Sequence, residues 1–399
     1  MLCSYKVNTS TNRPAFSYGQ FSVLRRYSDF EWLLDQLGTA FPGTILPPIP
    51  EKQAVGRFSP DFVEQRRRGL ERFLIKISQH PTLVDSQYLI SFLTADDVAF
   101  NIAKSTVRQE NDDKSNGSMV SWFNKAATTM ANVATNKTVN IEKTASDLKI
   151  EEILEYLNQL ENHMSSVSKG TSLVVKRNRD MANALFEFGQ AFTWLGQSEG
   201  DFLGTALIQV GNAADQLSVT STEFSETESL EFEEPIQEYF RLVGSVKSTI
   251  FRRQSKKSIY INAISDLDSK QSSYTKALSM AGKEDIAAKK QKDLELAQQY
   301  VESAKGDLDA VTDVLLNEFE KFKSEKAADI KTLLANFAKM QGDYHRSAEK
   351  IWGDILPQLM SAADINLDNG PITRSNAATI VESSTTLASN PIPKEVEGV

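Results

Sequence analysis

The densest chemistry in the chain is Arg25-Arg26-Tyr27-Ser28-Asp29-Phe30. A guanidinium is a planar fork of donors that matches phosphate oxygens, an aromatic ring stacks on another ring, and a helix start favours an anion. Strand alternation sends Arg25 and Arg26 to opposite faces, so only one of them can enter a given pocket. Taken alone, the hexapeptide reads better as a charged strand end. Two further stretches accompany it: Leu46-Pro47-Pro48-Ile49-Pro50, followed by Glu51-Lys52, and Phe62-Val63-Glu64-Gln65-Arg66-Arg67-Arg68. Signs of catalysis are lacking. His80, His163 and His345 are far apart, and no metalloprotease, nucleophile-elbow, P-loop or dinucleotide motif occurs. The chain therefore reads as a binding or structural protein, without cofactor or metal, and not as an enzyme.

These residues need elements to position them. Leu2 to Val7 and Gln20 to Tyr27 alternate as two strands, joined through Asn12-Arg13-Pro14 and Gly19. A helix is expected at once, with Ser28 and Glu31 at capping-box spacing and Phe30, Leu33, Leu34 and Leu37 on one face. The proline run permits neither helix nor sheet interior. Ser59-Pro60 then opens a second helix lined by Phe62, Leu70, Phe73, Leu74 and Ile77. The result is a small α+β unit, with His80-Pro81 as a cap or packing element at its helix end.

The chain has 399 residues, 44 Lys and Arg against 53 Asp and Glu, and a net charge of -9. Residues 1–95 carry 11 basic and 8 acidic residues, a net of +3, which leaves -12 for the remainder. Such a balance excludes a general nucleic-acid binder and confines basic surface to local patches. A single cysteine, Cys3, excludes an internal disulfide and suits a reducing compartment. No apolar run is long enough to span a bilayer and the first residues lack a signal peptide's core, so the expected state is cytosolic with peripheral membrane contact.

Beyond a polar stretch at Arg108 to Gly117, positions 153, 157, 160, 164, 167, 171, 174, 178, 181, 185, 188, 192 and 195 keep an unbroken 4-3 spacing. All are apolar except Thr171 and Asn178. This predicts one helix about 65 Å long, ended at Gly196 to Gly200. Further helical stretches are expected from about Asp201 to Met280 and Lys283 to Leu359, giving an antiparallel three-helix coiled coil. Pro235 inside the second stretch is either a break between helices or a bend. Before the bundle, Met119, Trp122, Phe123, Ala126, Ala127, Met130, Val133 and Ala134 form one helical face. That face either enters a membrane at the headgroup level or packs on the bundle.

The Arg-Arg-Tyr motif, the proline loop with its lysine, and the arginine-bearing helix, in this order, resemble the PX domain, the phosphoinositide-binding module of sorting nexins. By that resemblance Arg26 holds the 3-phosphate, Tyr27 stacks under the inositol ring, Lys52 meets another phosphate and Arg66 bonds ring hydroxyls. Members open with a strand before the position of Leu2, so the small antiparallel sheet is expected to lack its first strand. A PX domain, an amphipathic helix and a three-helix coiled coil look like the PX-BAR sorting nexins, in particular the retromer-associated group related to sorting nexins one and two. Phe232-Glu233-Glu234-Pro235 with Tyr239 adds to that likeness.

The expected organisation is a PX domain over 1–95, a linker over 96–117, an amphipathic helix over 118–137, an all-α BAR domain over 146–362 and a disordered tail over 363–399. The resemblance implies recognition of phosphatidylinositol 3-phosphate or the 3,5-bisphosphate on the cytosolic face of early endosomes. It also implies membrane insertion through Met119, Trp122, Phe123 and Met130. Dimerisation with a second copy or another PX-BAR sorting nexin, and service to the retromer cargo-recognition complex, follow from the same likeness. Candidate lipid contacts on the bundle are Lys176, Arg177 and Arg179; Arg252, Arg253, Lys256 and Lys257; and Lys289 and Lys290, each cluster being otherwise a solvated helix face. The rival expectations are a PX-BAR adaptor in another pathway, such as autophagy, and a coiled-coil scaffold without lipid function.

Overall fold

The computed structural model describes residues 3–14, 16, 18–52, 59–112, 143–199, 202–279 and 284–362. In chain order the elements are β1 (Ser4–Ser10), β2 (Gln20–Arg26), α1 (Tyr27–Ala40), α2 (Pro60–Gln79), α3 (Gln87–Thr94) and α4 (Asp97–Asp112). They are followed by α5 (Ala145–Glu199), α6 (Phe202–Glu228), a π-helical turn (Ser229–Glu233), α7 (Glu234–Leu278) and α8 (Glu284–Ala362). The amphipathic stretch with Met119, Trp122, Phe123 and Met130, and the tail from residue 363, lie outside the described residues.

Contacts divide the chain into two units, Met1–Arg177 with Phe224–Gln341 and Asn178–Glu223 with Gly342–Val399. The first unit holds the α+β domain and one section of the helical bundle. Its two strands pair antiparallel, Ser4 opposite Arg26 through Ser10 opposite Gln20. Two strands alone are marginal. Here Phe30, Leu33 and Leu37 of α1, Leu70, Phe73 and Ile77 of α2, and Phe92 of α3 build a core around Tyr5. Alternation places Tyr5 and Arg25, directly paired, on the covered face.

Arg25 is accordingly structural. Its Nε donates to the Phe92 carbonyl at 2.8 Å and its guanidinium also reaches the Ala95 carbonyl. The Phe100 ring centroid lies 4.3 Å from its Cζ. A buried cation is thus satisfied by carbonyls at the end of α3, where the helix dipole is negative. Phe100 is itself buried, which explains why residues 97–112 are helical where the polar sequence suggested a linker.

The cap of α1 differs from expectation as well. The helix starts at Tyr27, and the Arg26 backbone N–H donates to the Asp29 carboxylate at 2.8 Å. Lys104 of α4 takes the other Asp29 oxygen at 2.7 Å. Asp29, not Glu31, therefore closes the helix start.

Within the same unit the α+β domain is held to the bundle by charge. Arg68, Arg72 and Lys76, one turn apart on α2, meet Glu234 and Glu238, one turn apart on α7, at 2.6–3.0 Å. Arg252 donates to the carbonyls of Pro42 and Thr44 at 3.2 and 2.8 Å. Glu318 of α8 accepts from the Ile45 N–H and faces the His80 ring. Glu234 follows the π-helical turn directly, and Pro235 stands at the start of α7. The wider turn accommodates a residue that has no N–H to give, so the chain passes from α6 to α7 without an intervening loop.

The bundle core of this unit is Ile150, Ile153 and Leu157 of α5 with Val243, Val246 and Ile250 of α7 and Leu315, Phe319 and Phe322 of α8. Asp147, in the first turn of α5, is buried beside Arg253 and Lys257 at 2.7 and 2.8 Å. Burial alone would raise its pKa, but Lys257, Arg253 and the Thr144 N–H and hydroxyl hold the carboxyl well below the usual range.

In the second unit Gly189 of α5 packs on Gly211 and Ala214 of α6, and the Ala182 carbonyl accepts from the Ser218 hydroxyl at 2.8 Å. At Gly196 a Cβ would stand 2.5 Å from the Gly204 carbonyl oxygen, so the helices approach there with no side chain between them. Of the 4-3 seam expected along α5, Ile153, Leu157 and Thr171 are buried, whereas Val167, Val174, Met181, Phe188 and Leu195 stay exposed; in that later stretch the buried positions are Val175, Ala182, Gly189 and Gly196.

Asp147→Asn is expected to destabilise the bundle by about 3 kcal/mol near neutral pH, because it leaves a buried arginine uncompensated. A lowered folded-state pKa contributes stability above the ordinary carboxylate value of about 4, which is lost as pH falls below it. Urea unfolding should show the parent–variant gap shrinking toward about pH 3. A gap independent of pH would contradict the ion-pair account.

Candidate functional site

The end of β2, the start of α1, the proline loop and the first turns of α2 meet at one place. Arg26 is exposed there, with no ion-pair partner among the described residues. Tyr27, the next residue, donates its hydroxyl to the Pro50 carbonyl at 2.6 Å. Burial, followed by the nearby Glu31 carboxylate, pushes that hydroxyl's pKa up, so it stays a donor. The proline loop presses on α2 at Gly69, where a Cβ would lie 2.5 Å from the Pro50 ring.

Arg66 reaches the same place from α2. Its guanidinium carbon sits 4.7 Å from the Tyr27 ring centroid and 4.2 Å from that of Phe62. One terminal nitrogen donates to the Glu51 carbonyl at 3.4 Å. The residue is only 8% exposed, yet its Nε has no hydrogen-bond partner among the described residues. The neighbouring Tyr5 hydroxyl, which interacts with Arg66, is likewise buried and without a partner among the described residues; a desolvated donor of this kind is costly. Lys52 stands one residue beyond Glu51, with its ammonium 2.7 Å from the Glu31 carboxylate.

The four residues expected from sequence therefore converge. Arg26 and Tyr27 are neighbours in the chain, Arg66 stacks on Tyr27, and the loop bonded by both Tyr27 and Arg66 delivers Lys52. The adjacent arginines diverge by about 100° per residue around α2. Arg66 enters the site, Arg67 pairs with Glu64 and Glu71 on the surface, and Arg68 turns to Glu234. The arrangement can cradle a ring that carries anionic groups. Among the described residues no group of acids, histidines and cysteine could hold a metal ion. No described helix is long and apolar enough to cross a membrane.

The basic clusters on the bundle divide sharply. Lys176, Arg177, Arg179 and Lys289 are exposed, and Lys290 lies 3.6 Å from Asp293. Arg252 and Arg253 are not surface cations. The first binds loop carbonyls of the α+β domain, its pKa pushed down by burial to about 10, and the second is buried on Asp147 and Thr312. Lys256 pairs with Asp307 and Lys257 with Asp147. This cluster holds the first unit together and does not present a lipid face. Sequence reasoning missed Glu234 and Glu238 as receivers of the α2 cations. Their signal was present as paired i, i+4 spacings, acidic on one helix and basic on another.

Residues 13–96 match the PX domain family and residues 124–358 the Vps5 C terminal like family. Sorting nexin 1 of Arabidopsis thaliana is 29% identical over 364 residues, spanning 91% of this chain and 89% of that protein. Sorting nexin-30 of Xenopus tropicalis is 27% identical over 89% of this chain and 72% of its own length. Sorting nexin-1 of Mus musculus is 25% identical over 89% of this chain and 68% of its own length. Among solved structures the SNX-BAR Mvp1 tetramer superposes with a TM-score of 0.58 at 18% identity, covering 89% of this chain and 95% of that one. That likeness shows the fold, a PX domain with a two-stranded sheet followed by a helical BAR domain. The match over residues 124–358 covers more than half of the sequence, and the chain belongs to the Vps5 C terminal like family as a PX-BAR sorting nexin of the sorting nexin 1 type.

Proposed function

We propose that the protein reads a 3-phosphorylated phosphoinositide on the cytosolic face of early endosomal membranes. In this reading it dimerises through its BAR helices and curves or tubulates the membrane for retromer-linked protein sorting. The observation that carries the reading is the Arg66–Tyr27 stack, a nearly buried guanidinium with an unsatisfied Nε beside the exposed Arg26. Arg26 would take the 3-phosphate, Tyr27 would pack on the inositol ring, and Arg66 would bond its hydroxyls. Lys52 would meet a further phosphate oxygen. The phosphoinositide is the 3-phosphate or the 3,5-bisphosphate.

Avidity does the rest. One headgroup pocket is a weak anchor, but a dimer offers two pockets, two apolar segments around Trp122 and Phe123, and exposed cations at Lys176, Arg177, Arg179 and Lys289. Each cation near an anionic leaflet adds about 1 kcal/mol. The dimer surface would use the outward apolar stripe of α5, where Met181, Phe188 and Leu195 are 56%, 43% and 49% exposed. Apolar side chains repeating every seven residues on one helix suit a coiled-coil partner.

Arg26→Ala should weaken flotation with vesicles containing phosphatidylinositol 3-phosphate by about tenfold or more, since charge-assisted bonds to phosphate contribute about 1.5–3 kcal/mol. Sedimentation should show the variant's dimer intact. Undiminished flotation would overturn the pocket assignment. Phe188→Glu combined with Leu195→Glu should convert the dimer to monomers in sedimentation equilibrium, and an unchanged dimer would move the interface elsewhere.

A further inference from the structure

A loop usually runs over the surface, because buried backbone polar groups need partners. Residues 41–52, which carry the proline run to the candidate site, depart from this. Gly43, Thr44, Leu46 and Pro47 are buried. One side of the loop is covered by the α+β core, which Leu46 enters. The other side is covered by the bundle. Ile45 packs against the bundle core, and its N–H donates to Glu318 at 3.3 Å. A Cβ at Gly43 would stand 2.8 Å from the Val311 carbonyl oxygen of α8 and 2.9 Å from the Val314 Cβ. The Thr44 carbonyl accepts from Arg252 at 2.8 Å and from the Thr249 hydroxyl at 3.3 Å, both on α7.

The far end of the loop meets the same helix. Glu234, Glu238, Arg241, Thr249 and Arg252 fall on one stripe of α7 by their spacing. The first two hold α2, and the last two hold Thr44. Arg241, between them, acts electrostatically on Tyr27 and Glu51. Burial pushes its pKa down against the pull of Glu238 and Glu51, and its Nε has no hydrogen-bond partner among the described residues.

The segment between these points is stiff. Pro47, Pro48 and Pro50 have fixed φ. Pro50 is pinned twice, by the Tyr27 hydroxyl at its carbonyl and by the close approach of Gly69 at its ring. A shift of Thr44 is therefore passed to Pro50 and Tyr27, and to Arg66, which bonds the next carbonyl, that of Glu51. The ion pairs between α2 and α7 attach the domain without Arg252. Arg252 fixes the loop, on the carbonyls of Pro42 and Thr44.

We propose that α7 is a positioning element of the headgroup site: Arg252 clamps the start of the proline loop on the bundle, and the loop sets the Tyr27–Arg66 seat at its other end. Headgroup affinity then depends on the bundle even where no membrane is present. This inference rests on the headgroup reading above. Linkage is reciprocal, so an occupied site also holds the loop more firmly on α7.

The test uses the full chain and soluble short-chain phosphatidylinositol 3-phosphate, which keeps avidity and curvature out of the readout. In calorimetric titration Arg252→Ala should weaken binding by about fivefold or more. Arg252→Lys, which keeps a cationic donor for the Thr44 carbonyl, should recover part of the loss. Gly43→Ala, which wedges the same loop off α8, should weaken binding as Arg252→Ala does. Lys256→Ala, one turn further along α7 and paired with Asp307, should bind as the parent does. Hydrogen exchange in Arg252→Ala should be faster than in the parent across residues 44–52 and unchanged in α3. Parent-like affinity in Arg252→Ala, an equal loss in Lys256→Ala, or a loss of affinity without faster loop exchange overturns the proposal and leaves the headgroup site standing. Should thermal unfolding show that Arg252→Ala does not fold, Gly43→Ala decides in its place by the same two readouts. A parent that does not bind the soluble lipid overturns the headgroup reading and this proposal with it.

Discussion

A guanidinium removed from water must find partners for its donors, and Arg66 is only partly supplied. Its flat face is covered by Tyr27 and Phe62, one end rests on the Glu51 carbonyl, and its Nε is left over. The arrangement is retained because the surrounding chain fixes it from three sides. Asp29 sets where α1 begins and so where Tyr27 stands, the Tyr27 hydroxyl ties down the proline loop, and Gly69 lets that loop lie flat on α2. The site's readiness for an anionic ring is the consequence of that fixation.

The same helix that supplies Arg66 also anchors the domain to the bundle. Arg68, Arg72 and Lys76 grip Glu234 and Glu238, and Arg252 grips the loop at Pro42 and Thr44. The largely buried Glu234 gains two arginine partners, and its removal would take the nearest counter-charge from Arg68 while Arg72 kept Glu238. The proposed headgroup site and the attachment to the BAR helices are therefore built on different faces of one element. For the proposed membrane-curving role this matters, because a pocket held in fixed register with the helices can share one surface with them, and avidity requires such simultaneous engagement.

What was legible in the sequence follows from what is local. Arg26 beside Tyr27, the proline loop before Lys52 and the arginine run on α2 are short-range patterns, and their spacing with the family resemblance pointed to four residues that the fold brings to one place. The long helices were legible because heptad spacing is periodic. Burial that depends on a distant partner was not. Arg252, Arg253, Lys256 and Lys257 look like any basic helix face until the Pro42–Thr44 loop and Asp147 are laid against them. The 4-3 stripe of α5 looked like one seam because an apolar residue reads alike whether it faces its own chain or another. Only the glycine and alanine contacts at Ala182, Gly189 and Gly196 reveal which stripe faces inward. Glu31 has the spacing of a cap partner in the sequence, but Asp29 fills that role and Glu31 pairs with Lys52.

The central claim, that Arg66 and Tyr27 form a preorganised seat for a phosphorylated inositol, is tested most directly by calorimetric titration of the full chain with a soluble short-chain phosphatidylinositol 3-phosphate. The parent should bind one headgroup per chain, and Arg66→Lys, which keeps the charge but loses the planar fork, should weaken binding by about tenfold or more. Equal affinity in the two proteins would contradict the account.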